Sequence, residues 1–341
     1  MTNPDPVESA IADRQAVVND AISEQLPIKK PERLYAASRY LLDAGGKRLR
    51  PAILLLMAEA ISDVDPDSVD YRAFPTPVGE ELDVLTAAVS IEVIQSFTLI
   101  HDDIMDDDDL RRGVPAVHRE YDLETAILAG DTLYSKAFEY MLETGAPPER
   151  SVAALGELAT TCTEICEGQA LDVAFEGRTD VTTDEYLEMI EFKTAVLYAA
   201  AASIPAILLG CDDETIDALH GYGLDVGRAF QIQDDLLDLT TPSDELGKQR
   251  GSDLIEGKRT VITLHARNQG IDTEALVPDD PTDAEIELAV ERLTDAGSIN
   301  FARETAANLV ESGKGRLEVL PRSEPRDLLE GIADFLVERE Y

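Results

Sequence analysis

The sequence predicts an all-α protein built as one large domain, and three observations carry that expectation. Apolar residues recur at helical spacing nearly everywhere, while alternating β-branched runs bounded by turns are scarce. Several of the periodic stretches are apolar on more than one face, as expected of helices inside a large bundle. Hydrophobic residues make up 44% of the chain but aromatic ones only 5%, with no tryptophan, so the core is aliphatic and rich in alanine.

Taken in order, RLYAASRYLLDAG (33–45), RPAILLLMAEAIS (50–62), ELDVLTAAVSIEVIQSFTLIHDDIMD (81–106) and AGDTLYSKAFEYMLE (129–143) read as helices. SVAALGELATTCTEICEGQALDVAF (151–175), TDEYLEMIEFKTAVLYAAAAS (183–203) and DALHGYGLDVGRAFQIQDDLLDLT (217–240) follow the same period. The nearly uncharged run TAVLYAAAASIPAILLG (194–210) is short for a membrane span and interrupted by Pro205, and reads as a buried core helix. SDVDPDSVDYRAFPTPVGE (62–80), rich in Asp and Pro, reads as a surface loop, and VPDDPTDAE (277–285) as a connector into a final helical segment. No internal repeat and no linker divides the chain, so 1–341 is expected to be a single domain.

The chain carries 69 acidic against 29 basic residues, a formal net charge of −40. Self-repulsion on that scale destabilises a compact state unless counter-ions screen it, so the composition reads as an adaptation to high salt. It also argues against a nucleic-acid partner, because no basic stripe exists to displace phosphate counter-ions. The opening MTNPDPVESAIADR lacks the charged start and apolar run of a secretory signal, and three cysteines make no disulfide framework. Cys162 and Cys166 share a helix face at i, i+4, which reads as burial rather than zinc binding. A cytoplasmic protein without membrane insertion is the expectation.

In so acidic a chain, an acid cluster is weak evidence by itself. HDDIMDDDDLRRG (101–113) packs six aspartates into eight positions, then two arginines and a glycine. The pattern Asp-Asp-x-x-Asp occurs at 102, 103, 106, at 234, 235, 238 and at 279, 280, 283. The third contains Pro281, has no basic or glycine context, and reads as an acidic turn. The first two lie in helical stretches, where i and i+4 share a face one turn apart. Asp102 and Asp106 therefore project together with Asp103 beside them, and Asp234 and Asp238 with Asp235. Oxygen-only clusters suit a hard cation, and Mg2+ takes one or two carboxylates plus substrate phosphates and water. Asp107, Asp108 and Asp109 read as solvated excess.

The positive charges supply a second test. Of only eight lysines, four fall in GGKRLRP (45–51), FKTA (192–195), LGKQRG (246–251) and EGKRT (256–260), all loop-like or helix-end contexts. A salt-adapted surface avoids lysine, so those retained invite a functional reading. With Arg111 and Arg112 directly after the first acid cluster, they form a basic set suited to two phosphate-bearing ligands. A P-loop fails as a rival: GSDLIEGKR (251–259) has five residues between its glycines, and Arg259 stands where Ser or Thr is needed. His101 reads as a packing or hydrogen-bonding residue.

With these residues in place, the chain resembles the trans-isoprenyl diphosphate synthases, or polyprenyl synthetases. GGKRLRP, HDDIMDDDDLRRG, AGD, GQALD, FKTA, FQIQDDLLDL and GKRT stand in that family's order and approximate spacing, within a core of about 30–270, with weaker resemblance over 271–341. The resemblance implies an isoprenoid-synthase helical bundle around a central cavity. Across it, Asp102, Asp103 and Asp106 would face Asp234, Asp235 and Asp238, together holding three Mg2+ on an allylic diphosphate. It implies Arg111, Lys193, Gln231, Lys248 and Lys258 as further contacts to that diphosphate. Lys47, Arg50, Gln95 and Arg112 would form the isopentenyl diphosphate site, with Gln95 standing where the family often has histidine. Thr194 and Gln231 would offer oxygen dipoles to a developing carbocation. A homodimer is also implied.

The implied reaction is head-to-tail condensation of isopentenyl diphosphate with dimethylallyl, geranyl or farnesyl diphosphate, five carbons per cycle. Phe97 lies five residues before Asp102, about 7.5 Å along a helix. A bulky residue there resembles archaeal geranylgeranyl diphosphate synthases, whose tail stops at twenty carbons, so all-trans geranylgeranyl diphosphate is the expected product. A farnesyl or longer-chain product is the alternative. A class I terpene cyclase needs no second diphosphate site and is not expected to carry both GGKRLRP and DDxxDxxxxRRG. A non-catalytic acidic scaffold predicts that Asp102→Ala and Asp235→Ala leave every measurable property near wild type.

Overall fold

A computed structural model of the chain describes residues 5–64, 68–76, 79, 81–242, 250–278 and 281–338. Lys248, Asp279 and Asp280 lie outside the described residues. The described residues are overwhelmingly helical: α1 (Pro6–Gln25), α2 (Glu32–Asp43), α3 (Leu49–Ser62), α4 (Val84–Met105), α5 (Val117–Glu120), α6 (Leu123–Leu142) and α7 (Pro148–Glu176). Then come α8 (Thr183–Ile190), a π-helical turn (Glu191–Ala195), α9 (Val196–Leu209), α10 (Asp213–Thr240), α11 (Ser252–Ile255) and α12 (Val261–Asn268). The chain closes with α13 (Asp283–Asp295), α14 (Ser298–Arg316) and α15 (Glu324–Glu338). Two short antiparallel pairings, β1 (Phe74–Pro75) with β2 (Glu81–Leu82) and β3 (Leu110–Arg111) with β4 (Val114–Pro115), are the strand content among the described residues.

The helices begin where side chains can satisfy their free N–H groups. Asp83 accepts from Thr86 N at the start of α4, and Asp122 from Thr125 N at the start of α6. Thr182 with Glu185, Thr260 with Thr263 and Thr282 with Glu285 form reciprocal capping boxes at α8, α12 and α13. Asp283 sits in the first turn of α13, where a carboxylate complements the helix dipole. That explains one member of the third acidic pattern without any ligand.

The residues group into two compact units. The first comprises the described residues of Met1–Ala159, Ala200–Asp217 and Val319–Leu329; the second those of Thr160–Ala199, Ala218–Glu318 and Glu330–Tyr341. In the first, α4 lies along α6 and packs on α3, while α1 covers α3 and α4. Its core is aliphatic, with Ile53, Leu54, Leu55, Val89, Ile91 and Leu133 fully enclosed. In the second, α12 packs on α8, α13 and α14.

Two local expectations need correction, and one helix adds to those expected. Helix α1 carries a buried face of Ala10, Ile11, Val18, Ala21 and Ile22 that also includes Arg14. Arg14 pairs inside with Glu59 at 2.5 Å, so the apolar period is broken by a charge that is itself buried, and the helix is hidden from a periodicity reading. Pro205 does not interrupt its run: α9 passes through it, held by near-complete burial of Ala199 to Ile204. The described residues of 62–80 are anchored rather than simply exposed. Phe74 is fully buried and stacked on Tyr71, whose hydroxyl donates to Glu59 at 2.6 Å.

Two helical stretches, Val84–Met105 and Thr183–Leu209, are long and apolar enough to cross a membrane, but 72% and 83% of their apolar windows are buried inside the protein. They are core helices. Of the paired cysteines only Cys162 is buried; Cys166 faces solvent.

Candidate active site

In the first unit, Asp102 and Asp103 occupy the last turn of α4, and Asp106 is its C-cap rather than an interior position. Asp103 is fully buried. Its Oδ1 accepts from Arg111 Nε at 2.6 Å, while its Oδ2 is enclosed with no hydrogen-bond partner among the described residues. Burial pushes the Asp103 carboxyl up to about 6, with Arg111 opposing. Arg111 also reaches Asp108 at 2.9 Å and Asp102 at 4.0 Å. Asp108 is therefore part of this cluster and not solvated excess, because Asp103 meets Arg111 with one oxygen only and the guanidinium reaches on to Asp108. Asp107 and Asp109 are exposed, yet both are ion-paired to Arg119, at 2.7 and 2.8 Å.

The adjacent arginines part company at a tight turn. Arg112 (φ 54°) and Gly113 (φ 76°) are the two central residues between β3 and β4, both left-handed as a type I′ hairpin requires. Arg111, in β3, goes to the aspartates. Arg112 turns the other way: its Nη1 donates to the carbonyl of Leu41 at 3.1 Å and to that of Gly45. Gly46 takes a φ of 132°, which L side chains rarely adopt, and a Cβ there would lie 2.7 Å from the Arg112 guanidinium carbon. Lys47 is exposed in that segment, and Arg50 (first turn of α3) and Gln95 (on α4) are half-buried. Burial holds the Arg112 guanidinium below its ordinary proton affinity.

Phe97 is half-buried on α4. Its ring lies 4.8 Å from His101 and 5.2 Å from Tyr134 on α6. The His101 ring in turn sits where α6 has Gly130, at 3.2 Å from the Ile127 carbonyl.

In the second unit, the π-helical turn carries Lys193 and Thr194. It is held by close backbone approach: a Cβ on Gly168 of α7 would stand 2.2 Å from Lys193 N, and one on Gly227 of α10 would stand 2.5 Å from Ala195 Cα. Lys193 Nζ bonds Asp172 Oδ2 at 2.5 Å. Thr194 Oγ1 donates to Gln231 Oε1 at 2.9 Å, and Gln231 Nε2 donates to Asp235 Oδ1 at 3.1 Å. Tyr186 donates its hydroxyl to Asp235 Oδ2. Burial raises the Asp235 carboxyl well above the usual range, helped by Asp253, while the Tyr186 and Gln231 bonds oppose. Asp238 accepts from Ser252 Oγ at 2.7 Å and Asp253 N at 3.1 Å; Asp234 is half-buried. Lys258 lies between Glu256, at 3.1 Å, and Asp253, at 3.5 Å.

Among the described residues no three His, Cys, Asp or Glu side chains converge on a ready-made cation site. Arg111 takes Asp103, and Tyr186, Gln231 and Ser252 take Asp235 and Asp238. The donor set nonetheless fits a hard divalent cation: every side chain offered is a carboxylate, and Asp103 Oδ2 is a buried acceptor with no donor. Tyr186, Asp172, Asp253 and Glu92 were not singled out from the sequence. For Glu92 a signal existed, since it is the sole acidic or basic residue between Val84 and Ile100.

The polyprenyl synthetase family model matches residues 31–291. The geranylfarnesyl diphosphate synthase of Natronomonas pharaonis is 81% identical over 341 residues, the whole of both chains. Among solved structures, the geranylgeranyl pyrophosphate synthetase of the archaeon Geoglobus acetivorans superposes with a TM-score of 0.86 at 45% identity, covering 96% of this chain and 99% of its own. The geranylgeranyl pyrophosphate synthase of Corynebacterium glutamicum, complexed with isoprenyl diphosphate and magnesium, does so with 0.80 at 29% identity, covering 99% and 100%.

Proposed function

The chain belongs to the polyprenyl synthetase family of trans-prenyltransferases, and from that premise we propose a Mg2+-dependent, head-to-tail condensation of isopentenyl diphosphate with dimethylallyl, geranyl and longer allylic diphosphates. The observation that carries this reading is the parting of Arg111 and Arg112 at one hairpin. One arginine serves the aspartates and the other the Gly45–Arg48 segment, as two separate diphosphates require.

Asp102, Asp103 and Asp106, with Asp234, Asp235 and Asp238, would hold three Mg2+, which when bound supply the positive charge that neutralises a leaving diphosphate. Arg111, Lys193, Lys248 and Lys258 bind the allylic diphosphate, so the C–O bond breaks with its electron pair leaving on diphosphate oxygen. Thr194 and Gln231 turn oxygen dipoles toward the allylic cation. Lys47, Arg50, Gln95 and Arg112 hold isopentenyl diphosphate so that its double bond attacks that cation. The proton then lost passes to the departed diphosphate, and aliphatic side chains keep water from quenching the cation.

For the product, the 81% identity to a geranylfarnesyl diphosphate synthase favours twenty-five carbons, one unit beyond the sequence expectation. Twenty carbons is the second reading, favoured by the bulk of Phe97 braced on His101 and Tyr134. A cytoplasmic homodimer belongs to the same reading; the exposed Leu123, Ile127, Leu128 and Leu142 of α6 supply an apolar face for a second copy. Labelled isopentenyl diphosphate with each allylic primer, followed by chromatography of the dephosphorylated products, tests the proposal. A twenty-five-carbon alcohol is expected, and Phe97→Ala is expected to lengthen it. Product formed without incorporation of the label would sink the synthase reading.

A further inference from the structure

We infer that Glu92 is the positioning residue of the isopentenyl diphosphate site: one buried carboxylate holds the guanidiniums of Arg48 and Arg112, and through them the segment bearing Lys47 and Arg50. The inference rests on the two-diphosphate reading above.

Glu92 is 3% exposed in the middle of α4, among Ile91, Val93 and Ile94. A lone carboxylate in such surroundings is strongly destabilising unless paired and hydrogen-bonded. Arg48, itself 4% exposed, donates Nη1 to Glu92 Oε1 at 2.5 Å. Its Nη2 donates to the Leu42 carbonyl at 2.5 Å and its Nε to Asn19 Oδ1 at 2.9 Å. Arg112 Nη2 lies 4.0 Å from the same Glu92 oxygen, while its Nη1 serves the carbonyls of Leu41 and Gly45. Gln15 adds a bond to the Gly46 carbonyl at 2.6 Å. The end of α2 and the Gly45–Arg48 segment are thus tied to α4 through one carboxylate.

The backbone gives this tie its purpose. Arg48 adopts a left-handed φ of 51°, unusual for a long side chain, and it does so between Lys47 and the first turn of α3 where Arg50 stands. Glu92 is the charged acceptor that holds Arg48 in that conformation, beside the neutral acceptors Leu42 and Asn19. The electrostatics point the same way. Arg48, Arg50 and Arg111 all act against the Arg112 charge, and Glu92 is the group that favours it. A set of arginines gathered for a polyanion repels itself until the ligand arrives, and Glu92 supplies the counter-charge from within. Glu92 acts through Arg48 and Arg112, so it is not itself a catalytic residue.

Glu92→Gln keeps the side-chain shape and removes the charge. The KM for isopentenyl diphosphate is expected to rise tenfold or more, while that for the allylic substrate changes less than twofold. Equilibrium binding of isopentenyl diphosphate alone should weaken by the same factor. Glu59→Gln is the matched control: it breaks the equally buried pair with Arg14 and should lower Tm while leaving both KM values within twofold. If Glu92→Gln does not fold, Arg48→Lys, which keeps a charge but loses the fork to Leu42 and Asn19, is expected to raise the same KM at least threefold. Equal loss for both substrates, or unchanged isopentenyl diphosphate binding in a folded variant, overturns the inference alone. A wild-type protein that incorporates no isopentenyl diphosphate overturns it together with the synthase reading.

Discussion

The surroundings of Asp103 and of Asp235 hold functional side chains by different physics. Around Asp103 the anchors are charges: Arg111 on three aspartates, and Arg48 and Arg112 on Glu92. Around Asp235 they are neutral donors, Tyr186, Gln231 and Thr194, on a backbone brought close by Gly168 and Gly227. A charged framework answers to a change of charge and tolerates small changes of shape. A framework of touching backbones answers to a single methyl group. Buried and half-buried ion pairs are also poorly screened, so the first arrangement loses little as ionic strength rises.

The largest expected effect treats both regions alike. Asp102→Ala and Asp235→Ala should each lower kcat by about 10³, the scale of losing a dominant electrostatic contact to the transition state, with circular dichroism unchanged. Near-wild-type turnover in either variant would remove that region from the chemistry. The regions should then separate under Gly168→Ala. The added methyl meets the Lys193 backbone, which cannot rotate away, and we expect a loss of about 3 kcal/mol in urea denaturation together with reduced kcat. Unchanged stability there would show that the π-helical turn moves freely and that backbone contact is not its anchor. The smallest effect is Tyr186→Phe. Asp235 loses one of its donors, and about 1 kcal/mol of stability should go with it, read from the urea midpoint at constant slope.

Much of this arrangement was legible in the sequence, and the illegible parts share a cause. Helical periodicity found α2 to α4 and α6 to α10, because their buried faces are apolar. It missed α1, whose buried face includes Arg14, and it overvalued Pro205, whose missing N–H is outweighed by burial along α9. Spacing put Asp102 with Asp106 and Asp234 with Asp238 on shared helix faces, and Asp106 proves to be the C-cap where α4 ends. Spacing could not pair Asp235 with Tyr186, 49 residues away, nor assign Asp108 to Arg111, three residues on but beyond the end of α4. Lys193 and Thr194 were found by their motif, but nothing local announces that Glu191–Ala195 is wound as a π turn. A five-residue change of winding leaves too little periodicity to detect.

That turn makes length, rather than composition, the critical property of the segment. Its hydrogen bonds run from i to i+5, so it contains one residue more than an α-helical turn would use. One residue corresponds to about 100° of rotation in an α-helix. Loss of a single in-frame codon between Glu191 and Ala195 would let α8 and α9 join as one regular helix. Because the wide turn already absorbs that rotation, Tyr186, Met189 and Ile190 would keep their orientation relative to Leu197 and Tyr198, and the loss would fall on Lys193 and Thr194, which the turn carries. The extra residue therefore serves the placement of Lys193 and Thr194 and not the packing of the helices on either side.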